Sequence, residues 1–379
     1  MMKLQHLGLI LFSWLTLASC NKIEDEYQYK DELDVSWEQM AQQTTEQLIA
    51  QFWNQEGYFN YGSEGSDLGF QYWPNAHAMD VVIDGYLRTN DPKYSAYFDK
   101  WFEGVKKKNG NTYKNVFYDD MEWNALTMLR LFEITKEQKY MDAVLLLWND
   151  ILPAWNTEYA GGGLAWRKDM LHSKNACSNG PASILAARLY KLTKEEQYLE
   201  WAIRIYDWQK ETLFDRATGA VYDNINGETD VVNKTALTYN QGTFLGTAVE
   251  LFDITQDPLY MNDAQKIANY TITKCIDASN NVLRNEGDGD GALFKGIFVR
   301  YFVEFLLRDG VQEAFRSKFE NFLRNNAKVA WTQGQDAGIV LFSPSWTQKP
   351  LGQTQLTSQS SAAMLFEGLV YFEKTHKNN

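Results

Sequence analysis

Leu131-Phe132-Glu133-Ile134-Thr135, Leu189-Tyr190-Lys191-Leu192-Thr193 and Leu251-Phe252-Asp253-Ile254-Thr255 are three versions of one phrase, an apolar helical turn closing on threonine. Five residues after each threonine stands a tyrosine, Tyr140, Tyr198 and Tyr260, and Thr89 with Tyr94 makes a fourth copy. Each threonine is expected to end one helix and each tyrosine to begin the next. The tyrosines lie 46, 58 and 62 residues apart. A period of about 50 residues marks stacked supersecondary units.

Working outward, apolar residues at i, i+3 and i+4 predict helices near 37–53, 75–88, 94–108, 119–134, 138–150, 174–192, 196–211, 234–254, 258–277, 291–309, 311–328 and 355–374. Twelve helices paired into six hairpins predict an all-α (α/α)6 barrel, six inner helices ringed by six outer, with an open α-solenoid as the alternative. If the even-numbered helices are inner, they run parallel and their N-termini meet at one rim. Polar clusters fall at those starts: Trp73-Pro74-Asn75, Asp119-Asp120, Lys174-Asn175 with Ser178-Asn179-Gly180, Thr238-Tyr239-Asn240-Gln241-Gly242, and Gly287-Asp288-Gly289-Asp290-Gly291. Amides carry both donors and acceptors, and helix N-terminal N–H groups add donors, so the rim suits sugar hydroxyls. Gly161–Arg167 and Thr212–Val232 read as loops shaping this cleft.

Composition narrows the class. A net charge of -13 with no basic stripe excludes nucleic acid as a partner. Aromatic residues make up 15% of the chain, with 13 Trp, which tilts the reading toward carbohydrate, whose pyranose faces stack on such rings. Met1-Met2-Lys3, the apolar run Leu7 to Leu17 and Leu17-Ala18-Ser19-Cys20 read as a lipoprotein signal peptide over 1–19. Cys20 is then the lipidated first residue, 20–35 an acidic tether, and 36–379 a single catalytic domain. The expected location is the outer membrane, lipid-anchored at the cell surface, with the periplasmic face as the alternative. Besides Cys20 only Cys177 and Cys275 remain, so there is no disulfide framework, and one bridge between the two stays open.

Asp119-Asp120 carries the chemistry. Taken alone, the doublet reads as a helix N-cap with a second acid favouring the dipole. Set on an inner helix, two neighbouring carboxyls can face one anomeric centre, because adjacent helical residues point about 100° apart. Like charges so close cannot both ionise freely, so one is held protonated, as a general acid requires. Glu122, at i+3 from Asp119, is a rival acid or a local cap. His77, His172 and His376 show no metal-ligand spacing, and the Asp288/Asp290 loop lacks the later acidic ligand of a calcium loop, so neither metal nor cofactor is expected.

Five motifs occur in order: Tyr118-Asp119-Asp120 before Trp123; Gly161-Gly162-Gly163-Leu164-Ala165-Trp166-Arg167; Asn175 to Gly180 followed by Ala186-Ala187-Arg188-Leu189-Tyr190; Thr238 to Gly242; and Leu293-Phe294-Lys295-Gly296-Ile297-Phe298. Together they resemble glycoside hydrolase family 76, the endo-α-1,6-mannanases, across roughly residues 37–372. The resemblance implies an (α/α)6 barrel and retaining, endo-acting cleavage of α-1,6-mannosidic bonds, with Asp119 as nucleophile and Asp120 as acid/base. It departs at Trp123-Asn124, where many members carry two consecutive tryptophans. The candidate sugar contacts are Trp73, Trp123, Trp166, Asn179, Tyr239, Asn240, Gln241, Asp288, Asp290 and Phe294. The expected partner is α-mannan polysaccharide or oligosaccharide, met by a monomer that touches membrane only through its Cys20 lipid. The alternatives are a non-catalytic surface glycan-binding lipoprotein and a transglycosylase acting on mannan.

Overall fold

In the computed structural model, which describes residues 33–63 and 69–378, Thr89, Thr135, Thr193 and Thr255 are each the last residue of a helix. Their hydroxyls donate to the carbonyls of Gly85, Leu131, Leu189 and Leu251 at 2.7–2.9 Å. Each also accepts from the backbone N–H two residues on, at 3.2 Å. The intervening residues, Asn90, Lys136, Lys194 and Gln256, take the left-handed conformation, φ 54° to 61°, which satisfies a last-turn carbonyl and turns the chain back. Tyr94, Tyr140, Tyr198 and Tyr260 are all buried. The repeat is thus a helix stop joined to a core anchor.

The helices are α1 (Trp37–Phe52), α2 (Tyr72–Thr89), α3 (Phe98–Lys108, after a single turn at Pro92–Ser95), α4 (Tyr118–Thr135), α5 (Gln138–Ile151), α6 (Ala176–Thr193), α7 (Glu196–Thr212), α8 (Thr238–Thr255), α9 (Pro258–Lys274), α10 (Gly291–Leu306), α11 (Glu313–Gln333) and α12 (Leu356–Asn378). Each of the even-numbered helices packs on the next, and α12 packs on α2, so the inner ring closes and the open solenoid is excluded. Burial follows this division. Residues 240–251 of α8 are all buried, whereas α9 buries a stripe that includes Tyr260, Met261, Ala264, Ile267, Ala268 and Thr271. Inner helices approach so closely that a Cβ on Gly242 would lie 2.6 Å from the Cα of Phe298, and one on Gly180 2.4 Å from Thr243 Oγ1. The seam is sewn by Leu356 N donating to Tyr61 O at 2.8 Å and Thr45 Oγ1 donating to Glu367 at 2.7 Å.

Short antiparallel hairpins link outer to inner helices: β1 (Trp53–Asn54) with β2 (Tyr58–Phe59), β7 (Ile276–Asp277) with β8 (Val282–Leu283), and β9 (Gln335–Asp336) with β10 (Leu341–Phe342). The stretches read as loops instead contribute to a four-stranded sheet, β3 (Ala165–Arg167), β4 (Met170–Asn175), β5 (Asn224–Asn226) and β6 (Val231–Asn233), ordered β3-β4-β5-β6. This is why α6 and α8 begin later than their apolar periodicity predicts. An amide from the first turns of an inner helix fastens several connections. Asn75 accepts from Phe59 N at 2.7 Å and donates to Phe59 O at 3.1 Å. Asn179 brackets Leu164 at 2.8 and 3.1 Å, and Gln241 brackets Val221 at 2.9 and 2.7 Å.

Contacts divide the chain into a unit ending at Ser36 and a unit from Trp37 to Asn379, which holds the whole fold. The signal peptide read at 1–19, Cys20, and the tether up to residue 32 lie outside the described residues. Cys177 and Cys275 are both buried and free, so no bridge joins them.

Candidate active site

The starts of α2, α4, α6, α8 and α10 converge on a cleft of about 670 Å³. α4 enters it from an extended Phe117, φ -87° and ψ 127°, with no side-chain cap, and Asp119 and Asp120 are its second and third residues. The doublet therefore does not cap the helix: both carboxyls line the cleft. A second cavity of about 610 Å³ opens where the inner helices end. Its charges are matched to one another, Arg130 to Asp80 and Asp84, Arg300 to Asp84, Arg188 to Glu250 and Glu304, Arg88 to Glu367. Arg130–Asp80, Arg188–Glu250 and Arg88–Glu367 tie neighbouring inner helices together, whereas Arg300–Asp84 joins α10 to α2 and Arg188–Glu304 joins α6 to α10 across the ring. Trp123 lines both cavities and separates them.

The two aspartates sit in different fields. Burial pushes the Asp119 carboxyl up to about 6, opposed by the Cys177 thiol, backbone N–H groups and Trp166. Trp166 Nε1 donates to Asp119 Oδ2 at 3.3 Å. Asp120 is pushed well above the ordinary carboxylate range by burial, then by the charge of Asp119, then by Asp290. One carboxyl is thus positioned to be anionic near neutrality while its neighbour keeps its proton, the separation of acid and base roles expected when like charges share a site.

The walls are aromatic and acidic. Trp73 lines the cleft and its Nε1 donates to Asp290 Oδ1 at 3.2 Å. Tyr239 and Phe294 lie stacked, 3.9 Å between ring centroids and 12° between planes. Trp166 packs against Phe117 at 5.2 Å. Trp123 is only 3% exposed and rests against the His77 ring at 4.7 Å, so it forms a floor rather than a stacking face. Burial drives His77 down to about 3, which keeps this supporting ring neutral.

Four of the expected sugar contacts are not brought into the cleft. Asn179 and Gln241 are fully buried, and their amides are occupied by Leu164 and Val221 as described above. Asn240, also fully buried, donates to Asp223 Oδ1 at 3.0 Å. Asp288 is exposed and stands outside the lining, whereas Asp290 is part of it. Glu122 neither caps nor pairs: it is fully buried, and neither carboxyl oxygen has a hydrogen-bond partner.

Glycosyl hydrolase family 76 matches residues 17–378 of the chain. The chain belongs to this family. In structure it is similar to the GH76A alpha-1,6-mannanase from Salegentibacter sp. HEL1_6, with a TM-score of 0.86 and 39% identity, covering 89% of this chain and 100% of that one. An inactive variant of that mannanase, with two adjacent aspartates replaced by alanine, has been solved in complex with alpha-1,6-mannotetrose and is equally similar. In sequence, the mannan endo-1,6-alpha-mannosidase DCW1 of Candida glabrata is 30% identical over 219 residues, 53% of this chain and 48% of the relative. The chain spans about half the length of these curated relatives.

Within this family 76 barrel, the departure at Asn124 has a structural meaning. Its Nδ2 donates to Tyr72 O at 3.2 Å and Asp120 O at 2.9 Å, so the position belongs to the α2–α4 seam behind the pair. Asp223 and Cys177 are among the lining residues that escaped sequence reading. Asp223 reaches the lining from a stretch with no periodic signal, held by Asn240 and by Asn233 at 3.1 Å. Cys177 sits in the polar cluster at the start of α6 but was weighed only as a disulfide partner. Gly162 and Gly163 are explained by packing, since a Cβ at either would lie within 3.0 Å of the Trp208 ring.

Proposed function

We propose that the protein is a retaining, endo-acting glycoside hydrolase that cleaves α-1,6-mannosidic bonds of mannan backbones, acting as a monomer. The observation that carries this reading is the pair of adjacent, differently biased carboxyls in an aromatic-walled cleft. Asp119-Asp120 is also the only doublet of aspartates in the chain. In support, the inactive Salegentibacter variant lacks two adjacent aspartates.

In this mechanism the Asp119 carboxylate attacks the anomeric carbon while Asp120 gives its proton to the departing glycosidic oxygen. The glycosyl ester on Asp119 is then opened by water, which loses its proton to the Asp120 carboxylate, so the configuration is retained. Asp119→Asn and Asp120→Asn are each expected to lower kcat on debranched α-1,6-mannan by about 100-fold or more. Proton NMR of the first-formed product should show the α-anomer. Wild-type turnover in either variant, or a first-formed β-anomer, overturns the assignment.

We also propose that the chain is exported as a lipoprotein and anchored through Cys20 at the outer membrane, on its cell-surface side. The apolar run, the Leu17-Ala18-Ser19-Cys20 box and the following acidic stretch support this. Cys20→Ala should move the protein from the membrane to the soluble fraction; retention in the membrane would count against it. Protease accessibility on whole cells separates the outer from the periplasmic face.

A further inference from the structure

Asp120, Asn124 and Thr127 share one face of α4, at i, i+4 and i+7. That face looks at α2: Asn124 Nδ2 donates to Tyr72 O at 3.2 Å, and Thr127 Oγ1 donates to Ala76 O at 3.2 Å. Asp119, one residue earlier, is turned about 100° away, and its carboxylate is met by Trp166 of β3. The pair therefore divides the cleft, with Asp119 toward β3 and Asp120 toward α2. On the α2 side stand Trp73 and Asp290, both lining the cleft. Trp73 is the second residue of α2, and its ring meets His77 edge to face, 5.5 Å between centroids and 85° between planes. Its Nε1 donates to Asp290 Oδ1 at 3.2 Å. α12 packs between α10 and α2, yet no residue of α12 lines the cleft. The Trp73–Asp290 bond thus spans the α12 sector and closes the wall there.

We propose that Trp73 and Asp290 form the subsite for the mannosyl unit on the leaving-group side of the scissile bond. The inference rests on the reading of Asp119 as nucleophile and Asp120 as acid. The acid must reach the departing glycosidic oxygen, so the departing sugar lies on the side that Asp120 faces. An indole and a carboxylate joined by a hydrogen bond offer a pyranose a ring to stack on and an acceptor for its hydroxyls, held in fixed relation. Trp73 takes one oxygen of Asp290, and a carboxylate keeps further acceptor sites on the other. The loop before α10 is built to present this carboxylate. Gly289 takes a left-handed φ of 65° and its N–H donates to Gln355 Oε1 at 2.8 Å, while a Cβ on Gly291 would lie 2.2 Å from Glu286 O. The negative charge of Asp290 also helps to keep the proton on Asp120.

The test compares kcat/KM on two substrates, α-1,6-mannotetraose and the α-fluoride of α-1,6-mannobiose. With the fluoride the C–F bond breaks, fluoride leaves as the anion and Asp119 takes the glycosyl unit, so no sugar fills the leaving-group side. Trp73→Ala and Asp290→Asn should each lose about 10-fold or more on mannotetraose beyond any loss on the fluoride, as expected when a stacked ring or a hydrogen bond to a charged group is removed. Trp73→Leu takes the place of Trp73→Ala if melting curves show the alanine variant unfolded. Equal losses on the two substrates in folded variants overturn the proposal. So does a loss confined to one of the two variants; confined to Asp290→Asn, it marks an effect of charge on the proton of Asp120 rather than a seat for the sugar. Such results remove only the subsite as long as Asp119→Asn consumes neither substrate. Turnover of the fluoride by Asp119→Asn at the wild-type rate removes the catalytic reading beneath it.

Discussion

Trp166 Nε1 donates to Asp119 Oδ2 at 3.3 Å, so a residue of β3, whose strand and sheet no helical periodicity foretold, holds the carboxylate at the start of α4. Hydrogen bonds to a charged group contribute about 1.5–3 kcal/mol. Trp166→Phe keeps a ring against Phe117 but loses that donor. We expect kcat to fall about 10-fold or more, with the acidic limb of the profile moving to higher pH. Steady-state kinetics across pH check both.

The profile itself follows from the pair. Activity should rise with pH through about 6 as Asp119 ionises. It should fall again where Asp120, pushed well above the ordinary carboxylate range, gives up its proton. The two apparent values belong to the coupled pair. A bell-shaped kcat/KM curve with a near-neutral acidic limb is the expected result; a flat profile through that region would contradict the split.

Glu122 is a buried carboxyl held neutral by burial and by the charges of Asp119 and Asp120. Its folded pKa lies above its unfolded value, so its cost to folding is absent below the unfolded pKa, about 4.3, and grows as pH rises toward the folded one. Glu122→Gln keeps the shape and removes this term. The variant should match the wild type in melting temperature near pH 4, exceed it near pH 8, and retain cleavage. Calorimetry at the two pH values, with one activity assay, decides it.

Asn179 fastens the Leu164 backbone with both halves of its amide. Asn179→Ala leaves a buried N–H and C=O unpaired, at about 1–3 kcal/mol for each unsatisfied group. The expected outcome is a lower melting temperature with KM for mannotetraose little changed at temperatures where the variant is folded. A large rise in KM without loss of stability would return Asn179 to the sugar.

The repeat made most of the helices legible because it is a local code: a threonine stop, a left-handed residue and a tyrosine anchor lie within six residues. Asp119-Asp120 was legible for the same reason, being contiguous. Asn179 and Gln241 lie against backbone rather than in the cleft, a placement hidden in the sequence because a buried amide satisfied by backbone and an amide awaiting a hydroxyl look alike there. Asp223 went unread because its partner Asn240 lies 17 residues away, across a sheet with no periodic signal.

By itself, the sequence determined the helices, their pairing and the register that places polar residues at the starts of the inner ones, because caps and apolar spacing act over a few residues. The closed ring was decided only in three dimensions, where α12 returns to α2. So was the difference in environment between the two carboxyls of the aspartate pair. Burial, the indole of Trp166 and the thiol of Cys177 all reach the doublet from outside α4, and a carboxyl's affinity for its proton is set by what surrounds it rather than by its place in the chain.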